Sequence, residues 1–453
     1  MKRFRDYQPH QVYLLPPAPQ DWLPKGHLVY FLDEVVEQLD LSAIYADYQN
    51  SRGQPPYDPT MMVKVWLYAY SRGIRSSRKV EQAVQEDIGF RFLAGNQGPK
   101  FWALNHFRTR HRKALGELFV QTVRLAERAG LVKLKHVAVD GTKLKANASK
   151  HSAMSYARMQ REEKRLREEI EQYLRECDDV DREEDERFGE DRRGDELPEH
   201  LRTQEQRLEA IRRAMAELEA EAREKAQAEQ EARRTEAEAE GREFHPRKDP
   251  EDVKPSPKAQ RNFTDPESRI MKSSSDGFVQ AYNAQLLVDA GSQIVVATDL
   301  TAEPVDTQHL PQLLAQAHAN IGRRPTQVSA DAGYWSAANL QAIEEIGAEA
   351  FVPPDKVKHS EWRAAKPPRG RIPKNITPDD LMRRKLRTRR GRACYKLRQT
   401  NVEPVIGQIK EGRQLRQVLH RGREKVRALW RFDVAVHNLL KLYRAGAVFG
   451  YGA

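Results

Sequence analysis

The sequence predicts an α/β protein in which a helical N-terminal region precedes a mixed sheet with an antiparallel edge, and a helical hairpin interrupts the chain of that sheet. Three observations predict it. Residues 27–130 carry apolar side chains at three-and-four spacing, the period of a helix packed on one face. Residues 155–245 are densely charged, with apolar positions at heptad spacing. Before and after that segment stand short β-branched runs, alternating downstream with amphipathic helical stretches, as in a sheet covered by helices.

The first residues, MKRFRDYQPHQVYLLPPAP, read as a basic, Pro-rich tail over 1–26, broken at Pro9 and Pro16 and lacking the apolar run of a signal peptide. Four helices follow, in LVYFLDEVVEQLDL, PTMMVKVWLYAYSRG, SRKVEQAVQEDIGFRFLAG and NHFRTRHRKALGELFVQTVRLAERAG. Gly73 can end the second, and Ser76 or Ser77 can cap the third. That junction is compatible with a helix-turn-helix, and equally with two helices that merely pack. The basic cluster Arg108, Arg110, His111, Arg112 and Lys113 at the start of the fourth helix adds to the DNA-binding reading.

In the charged segment, Met159, Leu166, Ile170, Tyr173 and Cys177 form one heptad series, and Leu201, Leu208, Ile211, Met215 and Leu218 form another. They flank the polar stretch DDVDREEDERFGEDRRGDELP, whose Gly189, Gly194 and Pro198 suit a turn. An antiparallel coiled-coil hairpin is expected, with a partly disordered acidic tract as the other reading. The strands come from KHVAVDGTKL, which contains Asp140, and from YNAQLLVDA and SQIVVATDLT, joined as a hairpin at Ala290-Gly291. Then come a helix in HLPQLLAQAHANIG, a strand in TQVSAD ending at Asp331, a helix in SAANLQAIEEIG and a last strand in AEAFVPP.

At 453 residues the chain exceeds one ordinary core, and two or three domains are expected. Two cysteines, Cys177 and Cys394, cannot build a disulfide framework or a tetrahedral cysteine zinc site. No stretch approaches the apolar length of a membrane span. A cytoplasmic protein is expected. The net charge of +11 conceals an uneven distribution. Residues 155–250 hold 31 Asp and Glu against 21 Lys and Arg, a net of −10, so the rest of the chain carries +21. From 351 to 450, 26 basic residues face 8 acidic ones, a local net of +18. Such a field attracts polyphosphate, which favours nucleic acid over a merely soluble basic surface.

Within this basic body three acids stand out. Asp140 lies at the end of the first strand run, Asp331 closes a later strand before Ala332-Gly333-Tyr334-Trp335, and Glu403 is expected at the head of a C-terminal helix. Open sheets place ligand-binding side chains at strand ends. Three convergent carboxylates can hold two divalent ions, Mg2+ or Mn2+, with no need for cysteine or histidine. Each acid also has a plainer reading. Asp140-Gly141 and Asp331-Ala332-Gly333 suit turns, and Thr400-Asn401-Val402-Glu403 fits a capping box.

The sequence resembles bacterial insertion-sequence transposases of the DDE type, whose catalytic core is RNase H-like. The residues that carry the resemblance are VAVDGTKLKANAS around Asp140, DGFVQAYNAQLLVD at 276–289, VSADAGYWS around Asp331 and YKLRQTNVEPVIGQIK around Glu403. The last is similar to a Y-R-E-K helix, with Tyr395, Arg398, Glu403 and Lys410, although four residues rather than the usual three separate Arg398 from Glu403. PPYDPTMMVKVWLYAYSRGIRSSRKVEQAVQEDIGFRFLAG resembles the helical domain that precedes such cores.

The resemblance implies a helical DNA-binding domain at 27–132, a catalytic domain at 133–154 and 260–446, and a charged hairpin insertion with linker at 155–259. It implies hydrolysis at element ends in double-stranded DNA, the terminal inverted repeats, and attack of the freed 3′-hydroxyl on target DNA, with two protomers pairing two ends. Asp140, Asp331 and Glu403 are the expected catalytic and metal-holding residues. Arg398 and Lys410 are expected to hold backbone phosphates. Arg108 and Arg110 are expected at the DNA, and Tyr395 and Trp335 either stack on an unpaired base or pack in the core. The insertion is expected to lie away from the metal site and to serve oligomerisation or end pairing. The alternatives are a DNA-binding protein descended from such an enzyme but inactive, and a nuclease of the same fold without strand transfer.

Overall fold

The computed structural model describes residues 18–48, 55–188, 199–245, 249–273, 277–356, 367, 369–373 and 375–447. A one-turn helix α1 (Pro19–Trp22) lies inside the expected tail, and α2 (Leu28–Val36) and the short α3 (Ser42–Tyr45) follow. Helix α4 (Pro59–Ser71) starts where the side chain of Asp58 accepts from the Met61 amide at 3.0 Å, with Pro59 in its first turn. Every residue from Met61 to Tyr70 is buried, so α4 is the axis around which the helical region packs. It ends at Gly73, whose φ of +73° is in the left-handed region. That glycine also admits the Arg413 backbone, whose carbonyl oxygen would lie 2.9 Å from an added Cβ.

The expected third and fourth helices are each broken in two. Asp87 is extended and caps α6 (Ile88–Leu93) by accepting from the Phe90 amide at 3.1 Å, which separates it from α5 (Ser77–Glu86). Likewise α7 (Phe101–Arg110) and α8 (Arg112–Arg128) meet at His111, whose φ of −97° and ψ of 15° interrupt the helix. Periodicity alone did not reveal these breaks, because the apolar spacing continues across both.

Strand β1 (His136–Lys145) follows α8. It is paired antiparallel along its length with β5 (Gly277–Asp289), whose other edge is shared by β4 (Arg269–Ser273) and β6 (Val295–Thr301). On the far side of β1 lie β7 (Gln327–Ser329) and β8 (Glu349–Phe351), both parallel. The main order is β4-β5-β1-β7-β8, with β6 also against β5, which is a mixed sheet of RNase H-like arrangement as expected. The hairpin between β5 and β6 is wider than a two-residue turn, because Gln293 takes a φ of +60° and its amide donates to the Asp289 carbonyl.

Helices α11 (Leu310–Ile321) and α12 (Ala337–Glu345) fall where expected. Three more follow among the described residues: α13 (Pro378–Arg387), α14 (Arg389–Gly407) and α15 (Arg423–Arg444). Helix α15 packs on α8 and β6, where the Trp430 indole donates to the Thr298 hydroxyl at 2.7 Å. Helix α14 crosses β1, β5, β7 and β8 and buries Val402 and Val405. One apolar core runs unbroken from Val29 in α2 to Leu442 in α15, so the N-terminal helices share a core with the sheet.

The insertion is a hairpin of α9 (Tyr156–Phe188) and α10 (Glu199–Ala239), rooted in a small sheet of β2 (Ala153–Ser155) and β3 (Gln260–Asn262). The helices are antiparallel: Arg212 meets Glu163 at 3.0 Å and Tyr156 bonds Glu219 at 2.6 Å. Met159, Leu166, Leu208, Ile211 and Leu218 are buried between them. The side chains of Tyr173, Cys177 and Leu201, and the proposed turn residues Gly189, Gly194 and Pro198, lie outside the described residues, as do Pro9 and Pro16. No described helix is long and apolar enough to cross a membrane.

Candidate active site

The parallel pairing of β1 with β7 ends at Ala138 opposite Ser329. Asp140 and Asp331 each lie two residues beyond that last pair. Side chains two apart on a strand share a face, so neighbouring strands bring two carboxyls together although they are distant in sequence. Asp331 follows the end of β7, but Asp140 does not close its strand as expected: it pairs with Leu286 in the middle of β1, because β5 carries the ladder on to Lys145. Asp331 is drawn into the turn that follows: its Oδ1 accepts from the Gly333 amide at 2.9 Å and caps a 3-10 turn at Ala332–Tyr334. Asp140 Oδ1 accepts from the Gly141 amide at 2.9 Å.

Glu403 reaches the same place from α14. It lies in the last third of that helix, next to Pro404, and not at a helix start. The capping-box reading therefore fails, because residues 400–403 are already helical. Arg398, earlier on α14, joins the acids. Its guanidinium donates to Asp140 Oδ2 at 2.7 Å and to Glu403 Oε1 at 3.1 Å. Arg398 and Asp140 are largely shielded from water, while Glu403 is half exposed.

Burial pushes the Asp140 carboxyl up to about 7; Arg398 works against the rise, and the charges of Asp331 and Glu403 add to it. Burial also opposes the charge on Arg398, but Asp140, Tyr395, Glu403 and Asp331 together hold its pKa above the ordinary arginine value. The site is thus crowded with negative charge that one guanidinium partly offsets. Among the described residues no three His, Cys, Asp or Glu side chains gather closely enough to hold a metal ion directly. Arg398 bonds two of the three carboxylates, Asp140 and Glu403, while Asp331 is held by the Gly333 amide.

The remaining expected residues fall into two groups. Lys410, in the π-helical turn after α14, donates to the Thr142 hydroxyl at 3.2 Å and to the Lys143 carbonyl at 3.0 Å, beside the strand that carries Asp140. Tyr395 stands 6.0 Å below the Arg398 guanidinium and packs, with Trp335, against the small apolar cluster of Phe351, Met382 and Leu386. Both rings are half-buried and form the wall beside the acids, in keeping with the packing alternative. Away from the site, Arg108 is a correction. It is only 4% exposed, lies 4.3 Å over the Trp66 ring and donates to the Arg75 carbonyl, so its charge is used inside the helical region and is not presented to DNA. Arg110 remains at the surface, where it pairs with Asp47 and covers the Tyr48 ring.

Sequence reasoning missed Asp306 and the polar residues around it. Asp306 lies in the irregular loop after β6, where nothing distinguishes it from a helix-entry turn residue. Asn283 and Gln285, which donate to it, did leave a signal: two amides two positions apart in an otherwise apolar strand run lie on one face.

Two family models match the chain: Transposase domain (DUF772) over residues 17–110, and Transposase DDE domain over residues 252–439. Neither a curated protein nor a solved structure gives a significant match.

Proposed function

The chain belongs to the insertion-sequence transposases of the DDE type, and from that premise we propose that it cuts the ends of a DNA element and joins the freed 3′-hydroxyls to target DNA, with Asp140, Asp331 and Glu403 as the catalytic carboxylates. The observation that carries the reading is that the Arg398 guanidinium joins Asp140 on β1 to Glu403 on α14, while the charge of Asp331, just past the end of the neighbouring β7, adds to the rise of the Asp140 carboxyl. It places a carboxyl that resists ionisation beside two others, the kind of pairing that clusters at catalytic sites.

The donor set suits divalent cations. It is all oxygen, as Mg2+ or Mn2+ prefers, and its negative charge exceeds the one arginine that faces it. Two such ions, held by Asp140, Asp331 and Glu403, would activate the attacking oxygen and stabilise the leaving one. Arg398 and Lys410 flank the acids and are suited to hold phosphates next to the scissile bond, the first bidentately and the second as a point charge. Cations held by the acids would leave Arg398 free of Asp140 for that task. The helical region carries the exposed Arg110, and two protomers would bring two inverted-repeat ends together. The acidic hairpin packs on itself and on β2, with Glu221 paired to Arg261 of β3 and Arg269 of β4, and its proposed role is oligomerisation or end pairing away from the cleavage chemistry.

The test is incubation of the protein with Mg2+ or Mn2+ and DNA bearing the element's terminal inverted repeats. Cleavage by the parent and its loss in Asp140→Asn, Asp331→Asn and Glu403→Gln is the expected outcome. Binding without cleavage by the parent would point instead to an inactive DNA-binding descendant, and cleavage without joining to a nuclease of the same fold. Removing 160–245 behind a short linker leaves nicking intact on this reading; loss of all cleavage would place the hairpin in the catalytic assembly.

A further inference from the structure

Asp306 lies between the middle of β1, beside Asp140, and the turn after β7 that carries Asp331, and bonds neither acid. Its Oδ1 accepts from Asn283 Nδ2 at 2.7 Å, from Gln285 Nε2 at 2.7 Å and from Lys143 Nζ at 3.3 Å. Asn283 and Gln285 are fully buried on β5 and stand opposite Lys143 and Gly141 of β1, so one carboxylate oxygen ties together two strands at the register of the site. Room for it exists only because residue 141, next to Asp140, is glycine: an added Cβ would lie 2.8 Å from Asp306 Oδ1 and 2.6 Å from Gln285 Nε2.

The same loop holds the turn after β7. The Thr307 hydroxyl donates to the Gly333 carbonyl at 2.8 Å, and Asn339 Nδ2 donates to the carbonyls of Thr307 and Tyr334, each at 2.7 Å. The buried Tyr334 hydroxyl closes the circuit by donating to Gln285 Oε1. Gly333, whose amide fixes Asp331, stands beside Asp306 Oδ2.

We infer that Asp306 is a positioning residue for the catalytic acids: it sets the separation of the middle of β1 from the Asp331 turn and so the spacing at which Asp140 and Asp331 can share cations. The inference rests on the proposed reading of the site. Groups that orient ligating carboxylates act on metal affinity, and their loss typically weakens it by about 10–100-fold.

The experiment compares the parent, Asp306→Asn, Asp306→Ala and Asp140→Asn by Mn2+ binding, followed through the paramagnetic resonance of free Mn2+, by cleavage of end DNA across Mn2+ concentrations, by DNA affinity and by thermal melting. Asp306→Asn, which keeps an acceptor for the two amides, is expected to fold and bind DNA like the parent. Its half-saturating Mn2+ concentration should rise about 10-fold or more, with cleavage recovering as Mn2+ is raised. Asp306→Ala should show the larger loss. A purely structural role would lower the melting temperature and the maximal rate while leaving the half-saturating Mn2+ unchanged, and that result overturns the inference, as does parental Mn2+ dependence in Asp306→Asn. If the parent binds no Mn2+ that Asp140→Asn abolishes, the reading of the site fails and the inference falls with it.

Discussion

The guanidinium of Arg398 meets the carboxylate of Asp140 at 2.7 Å, and its other terminal nitrogen meets Glu403 at 3.1 Å. One planar group thus spans two acids, which a lysine ammonium cannot do with the same geometry. Arg398→Lys is therefore expected to behave almost as badly as Arg398→Gln, each losing at least about 10-fold in end cleavage while global stability changes little by comparison. Near-parental rates in Arg398→Lys would mean that only a positive charge is needed there.

Asp140 gives the site a pH signature. Burial holds its carboxyl at about 7, above the unfolded value of 3.8, so folding takes up a proton between those limits. The folded state therefore binds more protons than the unfolded one, and stability present in acid is lost as pH rises through about 7. Asp140→Asn has no such titration. It should match the parent near pH 4 and become the more stable protein by pH 8, by on the order of a few kcal/mol. Denaturant unfolding at both pH values measures this, and a constant difference across pH would contradict it. In the parent, a divalent cation added at pH 8 should reverse the loss.

Arg75 and Asp433 form a buried ion pair that joins the α4–α5 turn to α15, and Arg75 also donates to the Arg413 carbonyl. Removing one partner leaves an uncompensated buried charge. Asp433→Asn or Arg75→Met should each cost about 3–5 kcal/mol in urea unfolding, and replacing both with apolar residues should recover a large part of it. Because this pair lies within the continuous core, the N-terminal helices and the sheet should unfold in one transition in every variant.

Much of this fold was legible because it depends on periods. The strand runs around Asp140 and Asp331, the α11 and α12 stretches and the two heptad series all carry their burial pattern in local sequence. Legibility ended where a local event overrode the period, as at Asp87 and His111, or where the pairing partner was remote, as for β2 with β3 across the insertion. In the site, Asp331 was visible as a strand end, while Asp140, in mid-strand, and Glu403, late in a helix, were visible through the family resemblance. Asp306 was not, because its importance comes from donors on β1 and β5 that only the folded register brings to it. Arg108 shows the opposite error: a basic cluster says nothing about which of its members turns inward over Trp66.

Arg108 and Arg110 allow that distinction to be measured, since they sit two positions apart on α7 and face different surroundings. Arg108 is buried, stacks on Trp66 and bonds backbone, so Arg108→Ala should destabilise the protein by about 1–3 kcal/mol. It should leave the salt dependence of DNA binding unchanged in whatever fraction stays folded. Arg110 is exposed and its pair with Asp47 is a surface one, worth at most about 1 kcal/mol. If Arg110 touches a phosphate, Arg110→Ala keeps stability within about 0.5 kcal/mol and lowers the slope of log affinity against log salt by about 1. An unchanged slope in Arg110→Ala would move the DNA contact of the helical region away from α7.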